Sequence, residues 1–294
     1  MKKSYFKYIT SLLLFGSNGI IASYIALNSI EIVFTRTLIG SLFLILTFVF
    51  LKQKAQFWKN KAHFCSLIIS GIAMGTSWMF LYEAYSRIGV SIATLAYYCG
   101  PVIVMILSPL LFKEKMTWVK LVGFIAVLAG MFCVNIHVLS LDGTAWGLVC
   151  GVMSAIMYAF MVIFNKKAKS ITGLENSMCQ LCISFITVAI FLGLSQGFSI
   201  QIEPDSMIFI LILGIVNTGI GCYLYFSSIG NLPVQTIAIC GYLEPLSALL
   251  FSVILLGETL NFVQLLRAVL ILCGSAFGEL FRSKILNTHE PIED

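Results

Sequence analysis

Charge is what this sequence has little of. Lys, Arg, Asp and Glu make up only 11% of its 294 residues, and 59% are hydrophobic. Soluble domains carry about 25% charged residues, so there is too little polar surface here to keep a globule dispersed in water. Other absences narrow the function. No GxxxxGK[ST] loop is present, so ATP does not drive the protein directly. The three histidines (His63, His137, His289) are dispersed and form no metal motif or His–Asp cluster, which speaks against a membrane-embedded enzyme and implies no cofactor. No arginine stripe or aromatic–basic alternation offers a nucleic-acid surface, despite the net charge of +5. The nine cysteines all sit within apolar runs, where cysteine behaves as a small hydrophobe. Cys179 and Cys182 form a C-x-x-C that has no second pair. Behind Lys2, Lys3 and Lys7 the apolar stretch is too long for a leader and lacks a small-x-small cleavage site, so it reads as a retained first span.

What the sequence does contain is apolar runs long enough to cross about 30 Å of hydrocarbon. Ten are recognised, at 6–27, 30–51, 63–86, 90–111, 117–136, 144–164, 175–197, 206–228, 234–256 and 261–281. The joins at 27–30 and 86–90 are very tight. With the N-terminus inside, every Lys and Arg falls on the inner side except Arg87, which is outside, and Arg36 and Arg267, which lie within spans. The positive-inside rule then puts both termini in the cytoplasm. The expected class is therefore an all-α integral membrane protein of ten transmembrane helices.

The two halves repeat at an offset of 144 residues: Glu31 pairs with Glu175, Val90 with Val234, Tyr98 with Tyr242, Pro101 with Pro245, Glu114 with Glu258 and Gly130 with Gly274. Five spans per copy is an odd number, so the second copy enters the membrane inverted. Two inverted five-helix repeats, 1–138 and 139–282, with a cytoplasmic tail at 283–294, are the arrangement of alternating-access transporters, whose site lies near mid-membrane.

These residues also carry a resemblance. LFGSN at 14–18, Arg36, and the two copies CGPVIVMILSPLLFKEK (99–115) and YLEPLSALLFSVILLGETL (242–260) resemble the drug/metabolite transporter superfamily, specifically its ten-helix EamA-type transporters, over residues 8–281. The second copy matches the Pro-plus-LxGE pattern well; in the first, Lys113 replaces the glycine before Glu114. The resemblance implies spans 1–4 and 6–9 around a central cavity with spans 5 and 10 peripheral. It also implies movement of amino acids or related metabolites across a bacterial cytoplasmic membrane, export being the favoured direction.

Glu244 is the sharpest site candidate. A carboxylate near the middle of the ninth span, just before Pro245, is expensive unless it faces a cavity or a partner. Because burial favours the neutral acid, it is a candidate for either a coupling proton or a substrate ammonium. Arg36, about two turns into the second span, could hold a substrate carboxylate in a bidentate pair, pair with Glu244 or Glu83, or snorkel to the headgroups. Glu83 reads as an interfacial partner for Arg36 or Arg87. Asn18, Trp78, Tyr82, Tyr97, Tyr98, Tyr158, Asn217 and Tyr223 are the remaining mid-depth polar and aromatic candidates for substrate binding, and rings beside a carboxylate suit an organic cation. Arg36 with Glu244 suits a zwitterion. Gly71-x3-Gly75, Gly147-x3-Gly151 and Gly274-x3-Gly278 mark close helix approaches, within one chain or in a homodimer. An uncoupled facilitator for small organic cations or amines is the alternative to a coupled transporter.

Overall fold

A computed structural model describes residues 2–97, 99–113 and 145–256, together with 118, 121, 122, 125, 269 and 273. The described residues are helices and their connections. Helix α1 (Lys2–Gly16) and the short α2 (Asn18–Ser23) follow one another, then α3 (Ser29–Phe50), α4 (Lys61–Tyr97) and α5 (Cys99–Phe112). In the second half come α6 (Ala145–Lys167), α7 (Gly173–Ser195), α8 (Met207–Leu211), a π-helical segment (Ile212–Ile220), α9 (Gly221–Ile229), α10 (Val234–Gly241) and α11 (Leu243–Leu256). Five stretches are long and apolar enough to cross a membrane: Ser29–Phe50, Lys61–Gly89, Ala145–Lys167, Gly173–Ser195 and Pro204–Ile229. They correspond to the second, third, sixth, seventh and eighth predicted spans. Most of the fifth and tenth, with Glu114, Glu258 and Arg267, lies outside the described residues.

Two predicted spans are not single helices. The first, 6–27, breaks at Ser17 between α1 and α2. The ninth, 234–256, breaks at Tyr242, one residue after Gly241. Pro245 cannot donate to the carbonyl of Gly241 and its ring crowds it, so α10 ends there and α11 starts afresh. In the fourth, 90–111, α4 is described to Tyr97 and α5 from Cys99, Tyr98 lying outside the described residues, and Pro101 holds the place homologous to Pro245. The tight join predicted at 86–90 is a turn at Gly89 (φ 76°, ψ 160°), a conformation that favours glycine. Elsewhere the helix starts follow local chemistry. Asn28 accepts from the N–H groups of Ile30 and Glu31, and Glu31 accepts from Asn28 N in return, closing a capping box on α3.

Packing follows a pattern that survives exchange of the halves. Helix α1 packs on α9 and α11, as α6 packs on α4 and α5; α3 packs on the π segment as α7 packs on α4; α3 meets α7, and α5 meets α10. Glycines allow the closest approaches. A Cβ on Gly71 would lie 2.7 Å from Ile183 Cβ, and one on Gly75 would lie 2.9 Å from Ser184 O, both on α7. A Cβ on Gly151 would lie 2.6 Å from Ala96 Cβ. These two predicted glycine seams are therefore contacts within one chain; Gly274 and Gly278 lie outside the described residues.

The bundle has two chemically distinct ends. At one, Glu175 accepts hydrogen bonds from the backbone N–H groups of Gln56 and Phe57, and His63 Nδ1 lies 2.7 Å from Ser170 Oγ. Lys52, Lys54, Lys59, Lys61, Lys166, Lys167 and Lys169 belong to the segments that meet there. At the opposite end, Asn28 and Gln196 exchange amide hydrogen bonds of 3.4 Å, and Ser206 Oγ accepts from Ala26 N at 3.0 Å. Along the bundle, Phe50, Leu110, Ile190, Leu194 and Ile254 are exposed apolar side chains, a surface suited to lipid.

Candidate functional site

Arg36 is the deepest charge among the described residues, 1% exposed. Its guanidinium does not snorkel; it turns into the bundle. Nε donates to Thr218 Oγ1 at 2.9 Å and Nη1 to Tyr82 OH at 2.6 Å, while the guanidinium carbon stands 4.3 Å from the Trp78 ring centre. Trp78 and Tyr82 are four residues apart on α4, so they share one face and form one wall of the arginine's slot. Nη2 has no hydrogen-bond partner.

The opposite wall is the π-helical segment. Its wider turn offsets the normal register, and Thr218 Oγ1 donates to the carbonyl of Leu213, five residues back, at 2.7 Å. The neighbouring Asn217 is turned toward the break in the first span. Its Nδ2 lies 2.9 Å from Leu14 O, 2.8 Å from Ser17 Oγ and 3.0 Å from Asn18 Oδ1. Asn18 and Asn217 thus come together, as a clasp on the α1–α2 junction.

Glu244 sits in the first turn of α11, where a negative charge is favoured by the helix dipole. It is partly exposed. Arg87 to Glu83, at 2.8 Å, is the ion pair found among the described residues, so Glu83 partners Arg87 and Arg36 does not touch Glu244. The carboxylate is nonetheless within electrostatic reach of Arg36 and of the hydroxyls of Tyr8, Tyr82, Tyr97 and Tyr158. Among the described residues Arg36 has no carboxylate in contact, and Glu244 lies close enough to influence it electrostatically.

Tyrosines line that region. Tyr97 and Tyr158 meet edge to face at 5.3 Å between centroids, Tyr158 OH lies 3.3 Å from Tyr225 OH, and Tyr8 and Tyr225 are 5.4 Å apart. Tyr8 OH donates to Ile237 O at 2.8 Å, beside the α10–α11 break. Of the sequence candidates, Arg36, Trp78 and Tyr82 form one group, and Tyr97 and Tyr158 cluster near Glu244. Tyr223 is elsewhere: Lys7 Nζ lies 3.5 Å from its OH and 4.8 Å from its ring centre. Tyr98 lies outside the described residues. Tyr8, Tyr225 and Thr218 join the site unpredicted. The only sequence signal for Tyr225 is that it lies one helical face away from Tyr223, which a one-dimensional pattern cannot rank; Tyr8 reads as interfacial because it follows three lysines.

A pocket of about 520 Å³ opens at the end of the bundle opposite the lysines. Its walls come from α2 and the 25–32 segment, from Tyr82, Glu83, Tyr85 and Ser86 on α4, and from Gln196. Tyr82 is shared between the pocket floor and the Arg36 slot, so a solute in the pocket is one side chain away from the guanidinium.

The sequence matches the EamA-like transporter family over residues 2–136 and 145–277, one match in each half. A Bacillus subtilis protein described as uncharacterized transporter YxxF is 27% identical over 92% of this chain and 87% of its own length. A second B. subtilis protein, uncharacterized transporter YoaV, is 23% identical over 81% of this chain and 83% of its own. An uncharacterized transporter of Archaeoglobus fulgidus is 26% identical over 63% of this chain and 65% of its own length. A solved crystal structure shares the fold at a TM-score of 0.81, with 16% identity, covering 95% of this chain and 98% of that one.

Proposed function

This chain belongs to the EamA-like transporter family of the drug/metabolite transporter superfamily, and from that premise we propose that it is a secondary transporter working by alternating access. In this reading ten spans form two inverted five-helix repeats, 1–138 and 139–282, with both termini in the cytoplasm of a bacterial cell. Support comes from the exchange symmetry of the packing and from the matching positions of Pro101 and Pro245 near the start of α5 and α11. One pair of contacts repeats closely. Arg36 donates to Thr218, and Gln180, 144 residues on from Arg36, has its Nε2 3.9 Å from Sδ of Met74, which is 144 residues before Thr218.

The substrate class is read from the charges. The observation that carries the reading is the buried Arg36, whose Nη2 has no partner and which touches no carboxylate among the described residues, set within electrostatic reach of Glu244. A small zwitterion such as an amino acid would complete both, its carboxylate on Arg36 and its ammonium toward Glu244 and the tyrosine rings. Glu244 is also the residue able to exchange a coupling proton. The second reading, an uncoupled facilitator for organic cations, is favoured by the tyrosines around Glu244 alone.

The test profiles small metabolites inside and outside cells expressing the parent chain or Glu244→Gln, at about pH 6 and about pH 8. Redistribution of one amino-acid class by the parent alone, with pH dependence, supports the coupled transporter. Unaltered transport by Glu244→Gln at both pH values would remove Glu244 from the mechanism. A cation class that moves without pH dependence would favour the facilitator.

A further inference from the structure

The inverted repeat carries a consequence for gating, one that rests on the two-halves reading above. The pocket opens at one end of the bundle, so its lining can be mapped onto the other half by the same offset of 144 residues. Ala22 maps to Lys166, Ile32 to Asn176, Glu83 to Ser227, Tyr85 to Ile229 and Ser86 to Gly230. Where the first set borders open space, the second is bonded shut. Lys166 Nζ donates to Ile229 O at 2.9 Å and to Gly230 O at 3.0 Å, and makes a third, short contact with Leu232 O. Asn165 and Asn176 exchange reciprocal amide hydrogen bonds of 2.9 and 3.1 Å, both residues being buried. Lys7 Nζ reaches Ser227 Oγ at 3.2 Å.

We infer that Lys166 is the latch of the lysine-rich gate: its three donors tie the end of α6 to the last carbonyls of α9 and hold that face closed while the opposite pocket is open. The chemistry fits the place. An ammonium has three donors and no acceptor, and the C-terminus of a helix offers unpaired carbonyls and a partial negative charge. The counterpart position at the pocket is Ala22, which has nothing to donate, so the open face is tied, among the described residues, only by neutral contacts such as the 3.4 Å Asn28–Gln196 pair and Ser206 Oγ with Ala26 N. The two halves thus differ at one position in a way that biases the protein toward the state seen here. Lys166 is a positioning residue for the transport cycle and does not itself need to touch the cargo.

Amide hydrogen exchange of the full chain in lipid nanodiscs tests this without replacing any cysteine. In Lys166→Met, the amides of Asn231 and Leu232, bonded to Ser228 and Ile229, should exchange roughly tenfold faster. The pocket rim at Tyr24, Ile25 and Leu27 should become protected by a comparable factor as the opposite face closes. Lys166→Arg, which keeps a charged donor, should behave as the parent, and Lys166→Gln serves if the Met variant does not fold. Unchanged exchange at 231–232 in a folded variant would overturn the latch and leave the two-halves reading standing. Faster exchange at 231–232 with an unaltered rim would show that the faces do not alternate, and would overturn the two-halves reading and the gate built on it.

Discussion

A guanidinium in a membrane bundle has to be either a structural cation with its counter-ion or a binding group awaiting one. Arg36 has two neutral oxygens, the faces of two rings and one bare nitrogen. Burying a charge without an opposite charge is unfavourable, so the arginine destabilises the protein that contains it and is retained for what it binds. Arg36→Met should therefore abolish high-affinity transport, weakening binding roughly 10–100-fold for the lost charge-assisted contact, while the melting temperature in detergent stays level or rises. A marked fall in melting temperature would mark Arg36 as structural. Thr218→Val is expected to do the reverse of Arg36→Met on stability, because Nε would lose its acceptor at a cost of about 1–3 kcal/mol. The sequence identified Arg36 and Glu244 without help, since ionisable residues inside apolar runs stand out. It could not say that Arg36 leans on Trp78 and Tyr82 or that Tyr223 belongs with Lys7, because helical rotation and depth are set by neighbouring helices.

At the scale of the element, the site depends on helices that stop. The first and ninth spans are each interrupted, and Glu244 sits beside the break in the ninth. Gly16 shows how tightly the broken elements meet: a Cβ there would run into Ser247 Oγ and lie 2.7 Å from Ala248 N and 2.9 Å from Glu244 O. Gly16→Val should push α1 off α11, with a stability loss of about 1–3 kcal/mol from overpacking, measurable as reduced thermal stability in detergent, and should displace Glu244. Gly89→Val forces a branched residue into a positive φ and should cost about 1–2 kcal/mol, read in the same melt, with little effect at Glu244. The apolar period revealed where spans lie, but not these breaks. Hydropathy measures composition, and Ser17 and Tyr242 hardly change it. Pro245 was the one visible signal, and it gives the place of the α10–α11 break once its effect on the carbonyl four residues earlier is worked through.

At the scale of the molecule, lysines gather at one end and the pocket opens at the other. If the lysine-rich end is cytoplasmic, a membrane-impermeant amine reagent applied to intact cells should leave Lys52, Lys54, Lys59 and Lys61 unmodified, and permeabilisation should expose them; modification in intact cells would reverse the orientation. The sequence by itself determined the membrane class and the five apolar spans seen as long helices, and it marked the offset of 144 residues and two ionisable residues inside apolar runs, because composition, length and offset are properties of the chain alone. Only the tertiary structure decided which side chains meet: that Arg36 faces Tyr82 and Thr218, that Asn18 and Asn217 clasp a broken helix, and that Lys166 bonds the carbonyls of Ile229, Gly230 and Leu232 while Ala22 lines an open pocket. Those contacts join residues from spans far apart in sequence, and their partners are chosen by helix rotation and packing, which no local pattern records.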